Sequence, residues 1–202
     1  EFVEQLAKDE RLRSLSFQNV KVVPFLGTPG AIQSDSWNTT TYSNTLATKV
    51  GNLLHCASYN LSAPMYVEGT KEKELIESID EIAKVLHMAE TADIALIGIG
   101  SMQDDSSIIK AEIRTKEEYK ELVRKGAVGE IVGRIYDKNG QTVDEDLKRK
   151  MVGISLDKIA KIPVRVGMSY GKDKIEAIKG AIAGGLVNVL VTDVPTAELL
   201  LK

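Results

Sequence analysis

The apolar positions of this chain follow two periods, and the switches between them lay out an alternation of helices and strands. The clearest instance is residues 164–193, VRVGMSYGKDKIEAIKGAIAGGLVNVLVTD. A β-branched run leads into a Gly-rich turn, then Ile175, Ile178, Ala181 and Ile182 recur at helical spacing, and a second apolar run ends at Asp193. Such strand, helix, strand units build parallel α/β sheets. Their ligands sit beyond the carboxyl ends of the strands, where turn backbone and helix N-termini offer N–H donors and positive potential to anions. Lys172 and Lys174 lie in that turn. They either grip a phosphate there or are ordinary loop-tip lysines.

In chain order, Phe2, Leu6, Leu12 and Leu15 form a rough helical stripe among charges. The opening EFVEQLAKDERLRSL reads as the middle of a helix, so the sequence is expected to start partway through a larger protein. VKVVPF at 20–25 predicts a buried strand. The loop at 27–41, GTPGAIQSDSWNTTT, suits hydrogen bonding to a polyol and equally suits a flexible connection. Tyr42, Leu46, Val50, Leu53 and Leu54 resume helical spacing as far as His55 and Cys56, and a short extended run follows at 63–67. Residues 71–92 predict a helix broken near Ser78 by local capping. ADIALIGIGSM at 92–102 is a continuous apolar run, expected of a strand covered on both faces. It ends in Gly98, Gly100 and Ser101, where glycine lets the backbone approach a ligand closely.

Thr115 and Glu118 have the spacing of a capping box that opens a helix running to Lys125. Residues 128–136 then predict a strand with Glu130 set between apolar neighbours, and Asn139-Gly140 predicts a hairpin, a small excursion from the βαβ rhythm. Glu130 is either partnered in a polar cavity or placed on a solvated face, because an unpaired buried carboxylate costs several kcal/mol. Ser155 caps a short helix that runs to Pro163, and Pro195 opens a closing helix after Asp193.

Composition narrows the picture. A chain of 202 residues can bury one full core. With 26 Lys and Arg against 29 Asp and Glu, the net charge of -3 gives no electrostatic reason for the chain itself to hold nucleic acid. Its single cysteine, Cys56, excludes an internal disulfide and reads as a buried structural thiol. No apolar run has the length of a membrane span or the flanks of a secretory signal, so the chain reads as cytoplasmic, with no membrane partner. GIG at 98–100 lacks the third glycine and the helix start of a dinucleotide fingerprint, and no NAD or other cofactor is expected. His55 and His87 lack the paired spacing of a metal site and read as structural, so no metal is expected. Trp37 could stack on a sugar or cover the base of its loop.

The runs ADIALIGIGSM, KGAVGEIVGRIYDKNGQTVD, VGISLDKIAKIPVRVGMSYGKDKIEAIKGAIAGGLVNVLVTDVPTAELL and VKVVPFLG, with Asn44-Thr45-Leu46-Ala47, together resemble the effector-binding domain of the SorC family (SorC/DeoR-type) of bacterial transcriptional regulators. The resemblance covers nearly the whole chain. It implies a Rossmann-like parallel sheet with helices on both faces and a small hairpin excursion, similar to the sugar-phosphate isomerase and glucosamine-phosphate deaminase fold. It further implies a phosphorylated sugar effector, a homo-oligomer (dimer or tetramer), and operator DNA held only through an N-terminal helix-turn-helix domain.

Residue by residue, Lys174 matches the family's phosphate-contacting lysine and Glu130 the glutamate that accepts from sugar hydroxyls, while Gly27 and Thr28 match the loop after the second strand. Leu26 stands where the family's glycolytic regulators carry an arginine for a second phosphate, and Tyr42 where they carry a glutamine, which disfavours a bisphosphate effector. The family's first strand and its phosphate turn are expected before Glu1, which makes residues 1–202 a fragment of the effector-binding domain. The alternative function is an isomerase or deaminase of the same fold. A deaminase-type sequence would place Asp-Gly-His after its Gly-Ile-Gly turn to supply acid and base groups, whereas here Met102, Gln103 and Asp104 follow Ser101, without histidine. No catalytic residue is therefore expected.

Overall fold

The computed structural model describes residues 2–15, 17–29, 42–103 and 106–202. The N-terminal helical stripe is two pieces, helix α1 (Phe2–Leu6) and a 3-10 turn at Glu10–Ser14. Asp9 separates them by accepting the Arg11 backbone N–H at 3.0 Å and its guanidinium Nε at 2.9 Å. The strand expected at 20–25 shrinks to β1 (Lys21–Val22), because Pro24 has no N–H to donate to a ladder. After helix α2 (Ser43–Leu54), β1 pairs in parallel with β2 (Ala57–Ser58). The extended run at 63–67 forms isolated bridges, Thr28 to Pro64 and Tyr66 to Met151, instead of a strand.

Helices α3 (Thr70–Glu77) and α4 (Asp80–Glu90) part at Ser78 as expected, and the Ser78 hydroxyl donates to the Leu75 carbonyl at 2.7 Å. The apolar run at 92–102 divides at Ile99 into β3 (Ile94–Gly98) and β4 (Gly100–Ser101), which belong to different sheets. Helix α5 (Ser107–Lys110) follows, and Thr115 and Glu118 cap helix α6 (Lys116–Arg124) reciprocally. The strand expected at 128–136 is a hairpin of β5 (Ala127–Ile131) and β6 (Arg134–Asp137), turning at Val132 and Gly133 with φ of 50° and 66°. Asn139-Gly140 makes a second tight turn, with Asp137 Oδ1 accepting the N–H groups of Asn139 and Gln141 at 2.8 and 2.9 Å. The chain closes with α7 (Glu145–Lys150), α8 (Leu156–Ile159), β7 (Val164–Met168), α9 (Ile175–Ala183), β8 (Val189–Val191) and α10 (Val194–Leu200).

The main sheet is parallel, in the order β3-β7-β8, and the smaller one antiparallel, in the order β4-β5-β6. Ala95, Ile97 and Ile99 alternate into a core shared with Ile178 and Ala181 of α9 and Ile159 of α8. The opposite face differs from expectation. Ile94 is 57% exposed and Leu96 44%, and Val164, Val189 and Val191 lie open on the same side, so β3 is covered on one face only. The hairpin is pinned to α9 by the Tyr136 hydroxyl, which donates to the Ala177 carbonyl at 2.9 Å. A Cβ at Gly129 would come within 2.5 Å of that hydroxyl and 2.7 Å of the Ala177 Cβ, so only glycine lets helix and hairpin approach this closely. Cys56 is half-buried rather than buried, and desolvation pushes its thiol pKa up. Among the described residues, no helix is long and apolar enough to cross a membrane.

Candidate ligand-binding site

Strands β3 and β7 run parallel and end together at Gly98 and Met168. The turns beyond them are tied across the gap. The Ser169 hydroxyl donates to the Ile99 carbonyl at 3.0 Å. The Gly171 N–H donates to Thr196 Oγ1 at 2.8 Å, and the Thr196 N–H donates to Asp193 Oδ1 at 2.9 Å as the cap of α10. The turn that carries Lys174 is thereby fixed from both sides. Lys174 Nζ donates to Ser101 Oγ at 2.9 Å, that hydroxyl donates to Asp173 Oδ2 at 3.2 Å, and Nζ lies 3.5 Å from the same carboxylate oxygen. Ser101 is buried, while Lys174 keeps about a quarter of its side chain in solvent, at 26%.

A second polar group lies one residue away along β4. Gly100 pairs with Glu130 in register, and Glu130 Oε2 accepts from the Ser106 hydroxyl at 2.6 Å and the Tyr119 hydroxyl at 3.1 Å. A Cβ on Gly100 would fall 2.6 Å from Glu130 Cγ, so glycine leaves the room in which this carboxylate turns towards α5 and α6. Alternation along a strand puts Gly100 and Glu130 on one face of the ladder and Ser101 on the other. The two groups flank β4, one of the two edge strands of its sheet. Chemically, one group offers an ammonium and a hydroxyl to an anion. The other offers a carboxylate that already accepts hydroxyl donors.

Of the residues singled out by sequence, Gly100 and Glu130 pair on one face of β4, and Lys174 is bonded to Ser101 on the other. Gly98 sits at the end of β3 with open space where a Cβ would point. Gly27 and Thr28 are engaged elsewhere. The Gly27 N–H donates to the Val152 carbonyl, the Thr28 N–H to the Ala63 carbonyl at 2.9 Å, and a Cβ at Gly27 would collide with the Pro64 carbonyl oxygen at 2.5 Å. Trp37 and residues 30–41 of its loop lie outside the described residues, as does Asp104. Ser101, Ser106, Tyr119 and Asp173 are the site residues that sequence reasoning did not assign. Asp173 left a signal by adjoining Lys174, Ser101 by ending the Gly-Ile-Gly run and Tyr119 by its place in an amphipathic helix, whereas Ser106 left none.

A separate cleft of about 270 Å³ lies between α3, α7 and residues 155–157, lined by Lys73, Glu77, Lys148 and Asp157 among others. Near it Arg134 is buried, donating from Nη2 to the Met151 and Gly153 carbonyls at 3.2 and 3.0 Å. Burial pushes this guanidinium down to about 10, against the attraction of Glu77 and Asp157, and burial likewise pushes Glu77 up. Three cations, Lys73, Lys148 and Arg149, and three carboxylates, Glu74, Glu77 and Asp157, line the cleft, so its formal charges balance. Among the described residues, no group of three or more His, Cys, Asp or Glu side chains is placed to hold a metal ion.

The family model described as "Putative sugar-binding domain" matches residues 5–202. The chain belongs to this sugar-binding-domain family. It is 35% identical over 159 residues to the transcriptional regulator LsrR of Escherichia coli O157:H7, a match that spans 77% of this chain and 50% of that relative. The chain thus spans about half the length of the curated relatives it matches. Among solved structures it is similar to the full-length sorbitol operon regulator SorC from Klebsiella pneumoniae, with a TM-score of 0.86 and 29% identity over 99% of this chain and 63% of that one. It is likewise similar to the probable sor operon regulator from Shigella flexneri, with a TM-score of 0.85 and 26% identity over 100% of this chain and 77% of that one. The α/β reading and the resemblance to SorC-type effector-binding domains are borne out.

Proposed function

We propose that residues 1–202 form the ligand-sensing part of a bacterial transcriptional regulator of carbohydrate metabolism, binding a phosphorylated sugar that alters how an N-terminal domain of the whole protein holds operator DNA. The observation that carries this reading is the pairing of Lys174 with Ser101 beside Glu130 with Ser106 and Tyr119. A ligand laid across the edge of β4 meets a cation and a hydroxyl for its phosphate and a carboxylate for its sugar hydroxyls. Charge-assisted hydrogen bonds of both kinds contribute about 1.5 to 3 kcal/mol each. The names of the relatives, all transcriptional regulators, support a sensor over the isomerase or deaminase alternative. A homo-oligomer in the cytoplasm completes the proposal, because a two-fold operator calls for a two-fold protein.

A thermal-shift screen tests the reading. Sugar monophosphates should raise the melting temperature and their unphosphorylated parents should not, since a ligand at a hundred times its Kd stabilises the folded state by about 2.7 kcal/mol. Uniform failure of sugar phosphates to shift it, or their conversion to product in a coupled assay, would point away from a sensor. Glu130→Gln keeps the shape of the side chain and removes its charge. Titration with whichever sugar phosphate the screen selects is expected to show roughly tenfold weaker binding for this variant, as fits one weakened charged hydrogen bond. Inorganic phosphate, which makes no use of Glu130, should bind both proteins alike.

A further inference from the structure

The cation of the proposed phosphate site already has an anion. Lys174 Nζ, Ser101 Oγ and Asp173 Oδ2 close a triangle of 2.9, 3.2 and 3.5 Å, in which the ammonium donates to the hydroxyl and the hydroxyl donates to the carboxylate. The Ser101 hydroxyl and one N–H of the ammonium are therefore engaged by neighbouring side chains, and the Asp173 carboxylate partly neutralises the cation that a phosphate would use. The backbone makes room for this arrangement. Gly171 has φ of 108°, and a Cβ there would lie 2.9 Å from Asp173 Oδ1, so the glycine leaves space for the carboxylate to fold back over its own turn. Half of the Asp173 side chain, 51%, is in solvent, so it can rotate away from Lys174 without breaking any core packing.

We propose that Asp173 stands in the ligand's phosphate position beside Lys174 and must swing out when a phosphate binds, so that it sets both the affinity and the charge selectivity of the site. The inference rests on the sugar-phosphate reading above. Left in place, a carboxylate within hydrogen-bond distance of Ser101 would repel a phosphate arriving at the same hydroxyl. Swung out, it leaves Lys174 and Ser101 to the incoming anion. Asp173 thus sets a threshold: a ligand must hold Lys174 better than the built-in carboxylate does. A neutral sugar, which does not compete for the ammonium, leaves the triangle closed.

The sign of one substitution decides it. Asp173→Asn keeps the size of the side chain and removes the competing charge. Inorganic phosphate and ribose 5-phosphate are titrated into the wild type and the variant, with binding followed by the amide NMR shifts of Ser101 and Gly171. Phosphate should bind Asp173→Asn about tenfold more tightly, the effect being limited by solvent screening of a half-exposed group, while ribose should behave identically with both proteins. Asp173→Ala should move phosphate binding in the same direction. Equal or weaker phosphate binding by both variants, with the wild type still binding, would overturn the role of Asp173 and leave the sensor reading intact. No saturable shift in any of the proteins with either phosphate compound would remove the anion site itself, and both readings with it.

Discussion

Ile97→Ala is expected to cost the fold about 2 to 5 kcal/mol, whereas Leu96→Ala, at the next residue of the same strand, is expected to cost less than about 1 kcal/mol. The difference follows from which way each side chain points. Ile97 is 1% exposed and packs among Ile178, Ala181 and Val187, so its truncation leaves a cavity that the surrounding parallel sheet and α9 cannot collapse to fill. Leu96 is 44% exposed on the open face with Ile94, Val189 and Val191, and shortening it removes surface already in water. Urea unfolding of the two variants measures both costs on a common scale. Equal losses would mean that the outer face of β3 is covered in solution.

What could be read from the sequence was what is local. The break at Ser78, the Thr115 and Glu118 capping box, the Asn139-Gly140 turn and the α9 unit between two parallel strands each arise from residues within a few positions of one another, so their patterns survive without tertiary knowledge. The turn at Val132 and Gly133 was hidden because a valine with positive φ carries no turn signal, and the apolar residues on either side read as one strand. The split of the 92–102 run at Ile99 was equally silent, since it depends on Gly100 pairing with Glu130 thirty residues later. At the site, Lys174 and Glu130 stood out as a lysine in a Gly-rich turn and a carboxylate in an apolar strand. Their partners did not. Ser106, just before α5, and Tyr119 of α6 reach Glu130, and Ser101 reaches Lys174 across 73 positions of sequence. A tyrosine on the buried side of an amphipathic helix needs a partner for its hydroxyl, and that need was the one available hint of Tyr119.

The central claim is that Lys174 holds the phosphate of a sugar-phosphate ligand. Lys174→Ala is expected to weaken binding of a phosphorylated sugar tenfold to a hundredfold, because a charge-assisted hydrogen bond from an ammonium to a phosphate contributes about 1.5 to 3 kcal/mol. The fold should be indifferent. Lys174 lies just before α9, and its removal leaves Ala177, Ile178 and Ala181 packed as they are, so the melting temperature without ligand should stay nearly unchanged. Isothermal titration of the wild type and Lys174→Ala, each with a sugar monophosphate and with the same sugar unphosphorylated, measures this directly. The account predicts a large loss of affinity for the monophosphate and little change for the parent sugar. Equal affinity of the two proteins for the phosphorylated sugar would contradict it.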